Sequence, residues 1–234
     1  MLKAIIFDFD GVIADTEPIH LKMFQRVLAE EEITLTAEEY HQKYLALDDK
    51  GCFSAVLNDN GREVNKNLVE DMIRRKSVYF DEYVKDNIII FPGVVDFVRK
   101  VAEKHLLVIA SGALRHEVEF GLEAAGIRQE FQAIVSAEDV EKSKPNPEPF
   151  LKALQELNNI RDSSSQIQPS ECLVIEDSLH GVAAAHEAGM KCLAVTNSYS
   201  PDELSEADWV TDSLEDYESF QKIFGVNCED GFTS

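Results

Sequence analysis

Asp8 and Asp10 stand two residues apart at the end of the apolar run Ala4-Ile5-Ile6-Phe7, followed at once by Gly11. On an extended chain end, residues two apart face the same side, so both carboxylates can enter one cleft. Three further polar groups follow later apolar runs: Ser111-Gly112 after Leu106 to Ala110, Lys144-Pro145 in the loop beyond Ala133 to Val135, and Glu176-Asp177 after Cys172 to Ile175. Crowded carboxylates repel one another unless a cation holds them. Asp8, Asp10 and Asp177 form an all-oxygen set of the kind that suits Mg²⁺. Lys144 and the Ser111 hydroxyl offer positive charge and a hydrogen bond to an anion, and backbone N–H groups around Phe9, Asp10 and Gly112 can complete a cradle. The ligand implied is an anion bound beside a metal, most simply a phosphate. Each piece alone has a bland reading: a turn for Asp-x-Asp-Gly, a strand end for Ser-Gly, a solvated lysine, an acidic helix start. None of those readings accounts for their occurrence in order at successive strand ends.

The elements that must position these groups are legible as short apolar runs bounded by charges or turn-formers. Five strands are expected, over Ala4 to Phe7, Leu106 to Ala110, Ala133 to Val135, Cys172 to Ile175 and Cys192 to Val195, with a short sixth at Asp208-Trp209-Val210. Helical stripes separate them, such as Phe97, Val98 and Val101, or Phe150, Leu151, Leu154 and Leu157. Apolar strands alternating with helices predict an α/β fold, a Rossmann-like, doubly wound parallel sheet. In such a sheet ligands bind outside the carboxyl ends of the strands, where these residues fall. From about Thr16 to Asn87 the alternation stops, and only helical patterning is present. That stretch is too long for an ordinary crossover. It reads as an all-helical insertion after the first strand, giving a core of 1–15 and 88–234 and a cap of 16–87. The tail after Phe224 is expected to fray.

Composition narrows the function. The chain has 234 residues, 22 Lys and Arg against 44 Asp and Glu, and a net charge of −22. Such a field repels nucleic-acid backbones. The nearest basic run, Arg74-Arg75-Lys76, is flanked by acids, so no nucleic-acid partner is expected. No apolar run is long enough to span a membrane, and the N-terminus lacks the pattern of a secretory signal. The cytoplasm is the expected location. Cys52, Cys172, Cys192 and Cys228 form no CxxC pair and read as free thiols.

Taken together, Asp8-x-Asp10-Gly-Val-x-x-Asp15-Thr16, Ser111-Gly112, Lys144-Pro145 and Glu176-Asp177 resemble the four motifs of the haloacid dehalogenase-like hydrolases. The resemblance extends to the helical insertion, and within the family it points to the branch of beta-phosphoglucomutase and small-metabolite phosphatases. It implies that Asp8 is the nucleophile forming an aspartyl-phosphate, that Asp10 is the acid and then the base, and that Ser111, Gly112 and Lys144 hold the phosphoryl group. It also implies Mg²⁺ on Asp8, the Asp10 carbonyl and Asp177, with Glu176 contributing directly or through water. Asp10 favours phosphoesters over haloalkanoates, because an alkoxide must be protonated on leaving and a halide need not be.

The expected activity is Mg²⁺-dependent hydrolysis of small phosphorylated metabolites, sugar phosphates first among them, by a monomer. A beta-phosphoglucomutase-type mutase is the alternative, and a non-catalytic metabolite-binding protein on the same fold is the alternative of another class. Mutase relatives place an Arg in the second cap loop; here Asp49 stands there, with Lys50 beside it as a possible substitute. His20 matches a position mutase and hydrolytic relatives share and is a candidate substrate contact. Arg115 reads as a surface residue; His41, His105, His116 and His186 read as structural, and His180 as a weak candidate. A receiver domain is about half this length and lacks a cap. A dinucleotide-binding domain needs glycines that the first turn does not supply.

Overall fold

The first strand, β1 (Ala4–Phe7), is buried at every residue. After it the chain leaves the sheet for a run of helices. These are α1 (Glu17–Glu30), the single turn α2 (Ala37–Glu39), a π-helical turn over Tyr40–Tyr44, α3 (Asp49–Asp59) and α4 (Lys66–Val84). It then returns through α5 (Val94–Ala102), β2 (Leu106–Ala110), α6 (Arg115–Ala124), β3 (Phe131–Val135), α7 (Glu148–Asn159), β4 (Cys172–Glu176), α8 (Leu179–Glu187), β5 (Lys191–Val195) and β6 (Trp209–Thr211). This computed structural model describes residues 2–45, 47–84, 87–161, 165–217 and 220–221. Cys228, Ser163, Ser164, Ala46 and the tail after Phe224 lie outside them.

The six strands are ordered β3-β2-β1-β4-β5-β6 and every pairing is parallel. Side chains alternate across a strand, so each strand feeds two cores. Ile5, Phe7, Leu107, Ile109, Leu173 and Ile175 meet α5 and α6 through Phe97, Val98, Val118 and Leu122. Ala4, Ile6, Val108, Ala110 and Val174 meet α7 and α8 through Phe150, Leu154, Leu157 and Val182. Covering on both faces is what the continuous apolar runs require, and the sheet is doubly wound.

The strand boundaries differ from the sequence reading by one or two residues, each for a chemical reason. β3 begins at Phe131, because the polar Gln132 stays exposed while its amide oxygen accepts the Leu107 N–H at 2.5 Å. β4 extends to Glu176, a carboxylate buried completely because it is fully partnered. β6 starts at Trp209, since Asp208 instead accepts the Cys192 N–H at 2.9 Å.

The helices between β1 and α5 bury a separate apolar cluster of Phe24, Val27, Leu28, Tyr40, Phe53, Val56 and Met72. Two adjacent chain segments join them to the sheet: the Asp15 N–H donates to Ile89 at 2.8 Å, and the Phe91 N–H to Ile13 at 3.1 Å. Among the described residues, no helix is long and apolar enough to cross a membrane.

Candidate active site

The carboxyl end of β1 turns sharply after Phe7. Ile13 and Ala14 donate their N–H groups to the Phe9 carbonyl, and Gly11 takes φ +74°, where a side chain would be strained. That turn points Asp8 and Asp10 into one pocket at the carboxyl edge of the sheet. Asp8 Oδ1 accepts the Phe9 N–H at 2.8 Å and lies 3.1 Å from Lys144 Nζ. A Cβ on Gly11 would fall 1.8 Å from Asp177 Oδ2, so glycine here makes room for a second carboxylate.

Glu176 and Asp177 arrive from the end of β4. Glu176 is wholly buried, and its Oε1 lies 2.6 Å from Lys144 Nζ. Its Oε2 accepts the N–H groups of Asp177 and Ser178 and the Ser178 hydroxyl, all at 2.9 Å. Burial alone would raise its pKa, but Lys144 and those N–H groups outweigh burial and keep it below the usual carboxylate range. Glu176 thereby fixes Lys144. Burial opposes the charge on Lys144 too, yet Asp8 and Glu176 more than compensate and hold its pKa up.

Asp8 and Asp177 behave differently. Burial pushes Asp8 well above its ordinary range; Lys144 pulls it back, while the charges of Glu176 and Asp10 push it further up. Asp177 is raised likewise by burial and by the charges of Glu176 and Asp8. One ligand oxygen from each of Asp8, Glu176 and Asp177 lies within 4.8 Å of the others. A buried, hard-oxygen cluster in which burial and neighbouring charge raise two carboxylate pKa values fits a divalent cation. Ser198 donates its hydroxyl to Asp177 Oδ2 and fixes that carboxylate. Ser111, at the end of β2, is 3% exposed and accepts the Ala113 N–H at 3.0 Å, while Gly112 beside it opens into the pocket.

Asp10 faces the helical side. Its Oδ1 accepts the Thr16 hydroxyl and lies 3.4 Å from His20 Nε2. Burial would raise Asp10, but His20, the Thr16 hydroxyl and the Lys76 charge outweigh it, so Asp10 is held below its ordinary value. His20 Nδ1 is 2.8 Å from Lys76 Nζ. An ammonium there can only donate, which makes Nδ1 the acceptor and leaves the ring proton on Nε2, toward Asp10. Lys76 has no exposed surface and lies 2.6 Å from Asp49 Oδ1. The pocket wall on this side is made by Glu17, Tyr40, Leu47, Asp48 and Asp49. Asp48 touches the opposite wall by accepting the Ser143 hydroxyl, and Glu17 accepts the Tyr40 hydroxyl.

Of the residues expected from sequence, Asp8, Asp10, His20, Ser111, Gly112, Lys144 and Asp177 line this one pocket, and Glu176 stands behind Lys144. Lys50 is exposed and is not among the lining residues. It follows Asp49 at the start of α3, and consecutive helical residues point about 100° apart. Lys76 and Ser198 were not anticipated. The signal for Lys76 was its place in the stripe Val69, Met72, Lys76, Phe80, Val84, the buried face of α4. Arg115 is half-exposed and bonded to Asp139 at 2.5 Å. His116 pairs with Asp81 at 3.0 Å and His186 with Asp208 at 3.1 Å, contacts that sequence spacing did not reveal. Among the described residues, Cys52, Cys172 and Cys192 are buried free thiols.

The chain matches the family model for haloacid dehalogenase-like hydrolases over residues 5–195. It is 28% identical over 192 residues to a phosphorylated carbohydrates phosphatase of Thermotoga maritima, an alignment covering 81% of this chain and 83% of that one. Its structure is similar to that of a CbbY variant from Rhodobacter sphaeroides in complex with xylulose-(1,5)bisphosphate. There the TM-score is 0.80 and the identity 27%, covering 92% of this chain and 96% of the other. A beta-phosphoglucomutase from Clostridium difficile shares the fold at TM-score 0.82 and 23% identity, over 95% of this chain and 96% of that one.

Proposed function

Because the chain belongs to the haloacid dehalogenase-like hydrolases, we propose that it is a Mg²⁺-dependent phosphatase of small phosphorylated metabolites, phosphorylated carbohydrates first among them. The observation that carries this reading is the pairing of roles within one pocket: Asp8 beside Lys144 at 3.1 Å, and Asp10 two residues on with its own hydrogen-bonding partners. The wall of the pocket opposite Lys144 carries Glu17, Asp48 and Asp49, so a bisphosphate such as the CbbY variant binds is not proposed for this chain.

In this reading an Asp8 oxygen attacks phosphorus as the P–O bond to the leaving group breaks, giving an aspartyl-phosphate and an alkoxide. A carboxylate nucleophile divides one difficult transfer into two easier ones. Lys144, anchored by Glu176, meets negative charge on the phosphoryl oxygens without moving. Ser111 and the open backbone at Gly112 supply hydrogen bonds to the same group. Asp10 gives the alkoxide its proton, then takes one from the water that attacks the acyl phosphate, and that proton serves the next leaving group. Its depressed pKa suits the base step, and a phosphate dianion alongside raises it toward the acid step. Asp8, Asp177 and the Asp10 carbonyl would hold Mg²⁺, with Glu176 behind them; when bound, the ion supplies charge neutralisation at the phosphoryl oxygens.

The test is phosphate release from a panel of phosphorylated metabolites, with Mg²⁺ and with chelator, by wild type and Asp8→Asn. Metal-dependent release that disappears in the variant supports the assignment. Comparable release by the variant, with Asn deamidation excluded by mass spectrometry, overturns it. Conversion of a hexose 1-phosphate to its 6-phosphate without phosphate release would establish the mutase reading instead.

A further inference from the structure

Asp49 and Lys76 form an ion pair at 2.6 Å at the wall of the pocket opposite the sheet. Lys76 is completely buried in the apolar face of α4, 4.6 Å from the Phe24 ring centre. Its remaining near neighbour is His20 Nδ1 at 2.8 Å. Glu117, on α6, adds another buried carboxylate whose charge bears on Lys76. Asp49 is the carboxylate bonded to the ammonium, and Lys76 presents no surface to the pocket.

The rest of that wall is negative. Glu17, Asp48 and Asp49 line it, and Lys50 points to solvent. The lining cation Lys144 is committed to Asp8 and Glu176 at the sheet end, so a second phosphate at the opposite wall would meet three carboxylates. Hydroxyl groups fare otherwise. Asp48 already accepts the Ser143 hydroxyl and Glu17 the Tyr40 hydroxyl, so this wall accepts O–H donors in the geometry present.

We propose that the Asp49–Lys76 pair sets substrate class: the site takes phosphate monoesters whose remaining polar groups are uncharged hydroxyls, and turns away esters carrying a second phosphate. The pair acts by committing to Asp49 the buried ammonium behind this wall, which a second phosphate would need. This rests on the phosphatase reading for its chemistry, but its selectivity is measurable without turnover.

The experiment compares a ketose monophosphate with the matching bisphosphate, both as substrates and as their non-hydrolysable phosphonates in calorimetric binding with Mg²⁺. The proteins are wild type, the isosteric Asp49→Asn, and Asp49→Asn combined with Lys76→Met, each checked for folding by circular dichroism. Wild type should bind the monophosphonate at least tenfold more tightly than the bisphosphonate. Asp49→Asn, which removes the carboxylate bonded to the ammonium, should shift that ratio at least tenfold toward the bisphosphonate, mainly through KM in the kinetic assay. The double variant should lose the shift. Equal binding of both ligands by wild type, or equal weakening of both by Asp49→Asn, overturns the proposal. So does a shift that survives removal of Lys76. Discriminating binding without phosphate release would instead retire the phosphatase reading and leave the selectivity standing.

Discussion

Gly181 sits in the first turn of α8 with ordinary helical backbone, so helix propensity alone says that Gly181→Ala should stabilise the protein by about 1 kcal/mol. The structure reverses that sign. A Cβ at 181 would lie 1.8 Å from Glu176 Cδ and 1.9 Å from its Oε1. Carbon contacts settle near 3.5–4.0 Å, so the carboxylate must move by roughly 1.5–2 Å. Glu176 then loses hold of Lys144, now at 2.6 Å, or of the Asp177 and Ser178 N–H groups, now at 2.9 Å. Hydrogen bonds to a charged group contribute about 1.5–3 kcal/mol each. Losing two and crediting the propensity gain leaves a net destabilisation of about 2–5 kcal/mol. For a chain of this size that lowers Tm by roughly 4–20 °C. Turnover should fall as well, because Lys144 loses the group that aims it. The assay is thermal unfolding followed by circular dichroism, alongside phosphate release at a temperature where both proteins are folded. A variant with equal or higher Tm and unchanged turnover would refute the claim that Glu176 is wedged against this turn.

Three further outcomes are expected. Asp8→Asn should lose on the order of 10⁴-fold or more in turnover while keeping its Tm within a few degrees; the paired melt and rate measurements check both halves. Mg²⁺ at about 100 times its Kd should raise stability by about 2.7 kcal/mol. Because burial and mutual charge raise the pKa of Asp8 and Asp177, its apparent affinity should drop as pH falls and protons compete; calorimetry in buffers of different ionisation enthalpy reads the released protons. Asp139→Ala should cost about 1 kcal/mol through its lost cap on Ser136. Burial opposes ionisation of Asp139, but Ser136 and Arg115 outweigh it and depress its pKa below 3.8. The deficit should therefore be full above pH 3.8 and vanish as pH falls through the lower folded-state value, as urea titrations across pH would show.

The sheet was legible because a doubly covered parallel strand must be apolar on both faces, and each of the five runs is an unbroken apolar stretch of three to five residues. The same logic hid the strand ends: Glu176 reads as a loop acid until its buried hydrogen bonds are seen. Asp8, Asp10 and Lys144 were legible because each follows a strand at the edge where ligands collect. Lys76 was not, because Arg74 and Arg75 beside it made a solvated basic run the simpler reading. Its spacing of four from both Met72 and Phe80 places it on the buried face, a position a lysine occupies only when paired. Nothing in the sequence names the partner, Asp49, 27 residues earlier. Ser198 was hidden for the same reason, since its contact with Asp177 exists only once β4 and β5 are adjacent.

A protein of net charge −22 that handles phosphate needs a physical account. Distant surface charge is largely screened beyond about 8 Å at physiological salt, so the pocket itself decides. There Asp8, Asp10, Glu176 and Asp177 stand against Lys144, while Lys76 is cancelled by Asp49. Two unit charges 4 Å apart interact by about 4 kcal/mol at an effective dielectric near 20. A phosphate dianion entering beside ionised Asp8 would meet several such repulsions and one attraction from Lys144. In the proposed reading a divalent cation held by Asp8, Asp177 and the Asp10 carbonyl would reverse that balance, at a site where burial and neighbouring charge raise the pKa of Asp8 and Asp177. The order this reading predicts is cation before phosphate. The same arithmetic applied to the opposite wall, where Glu17, Asp48 and Asp49 face the pocket and Lys76 is paired with Asp49, disfavours a second phosphate.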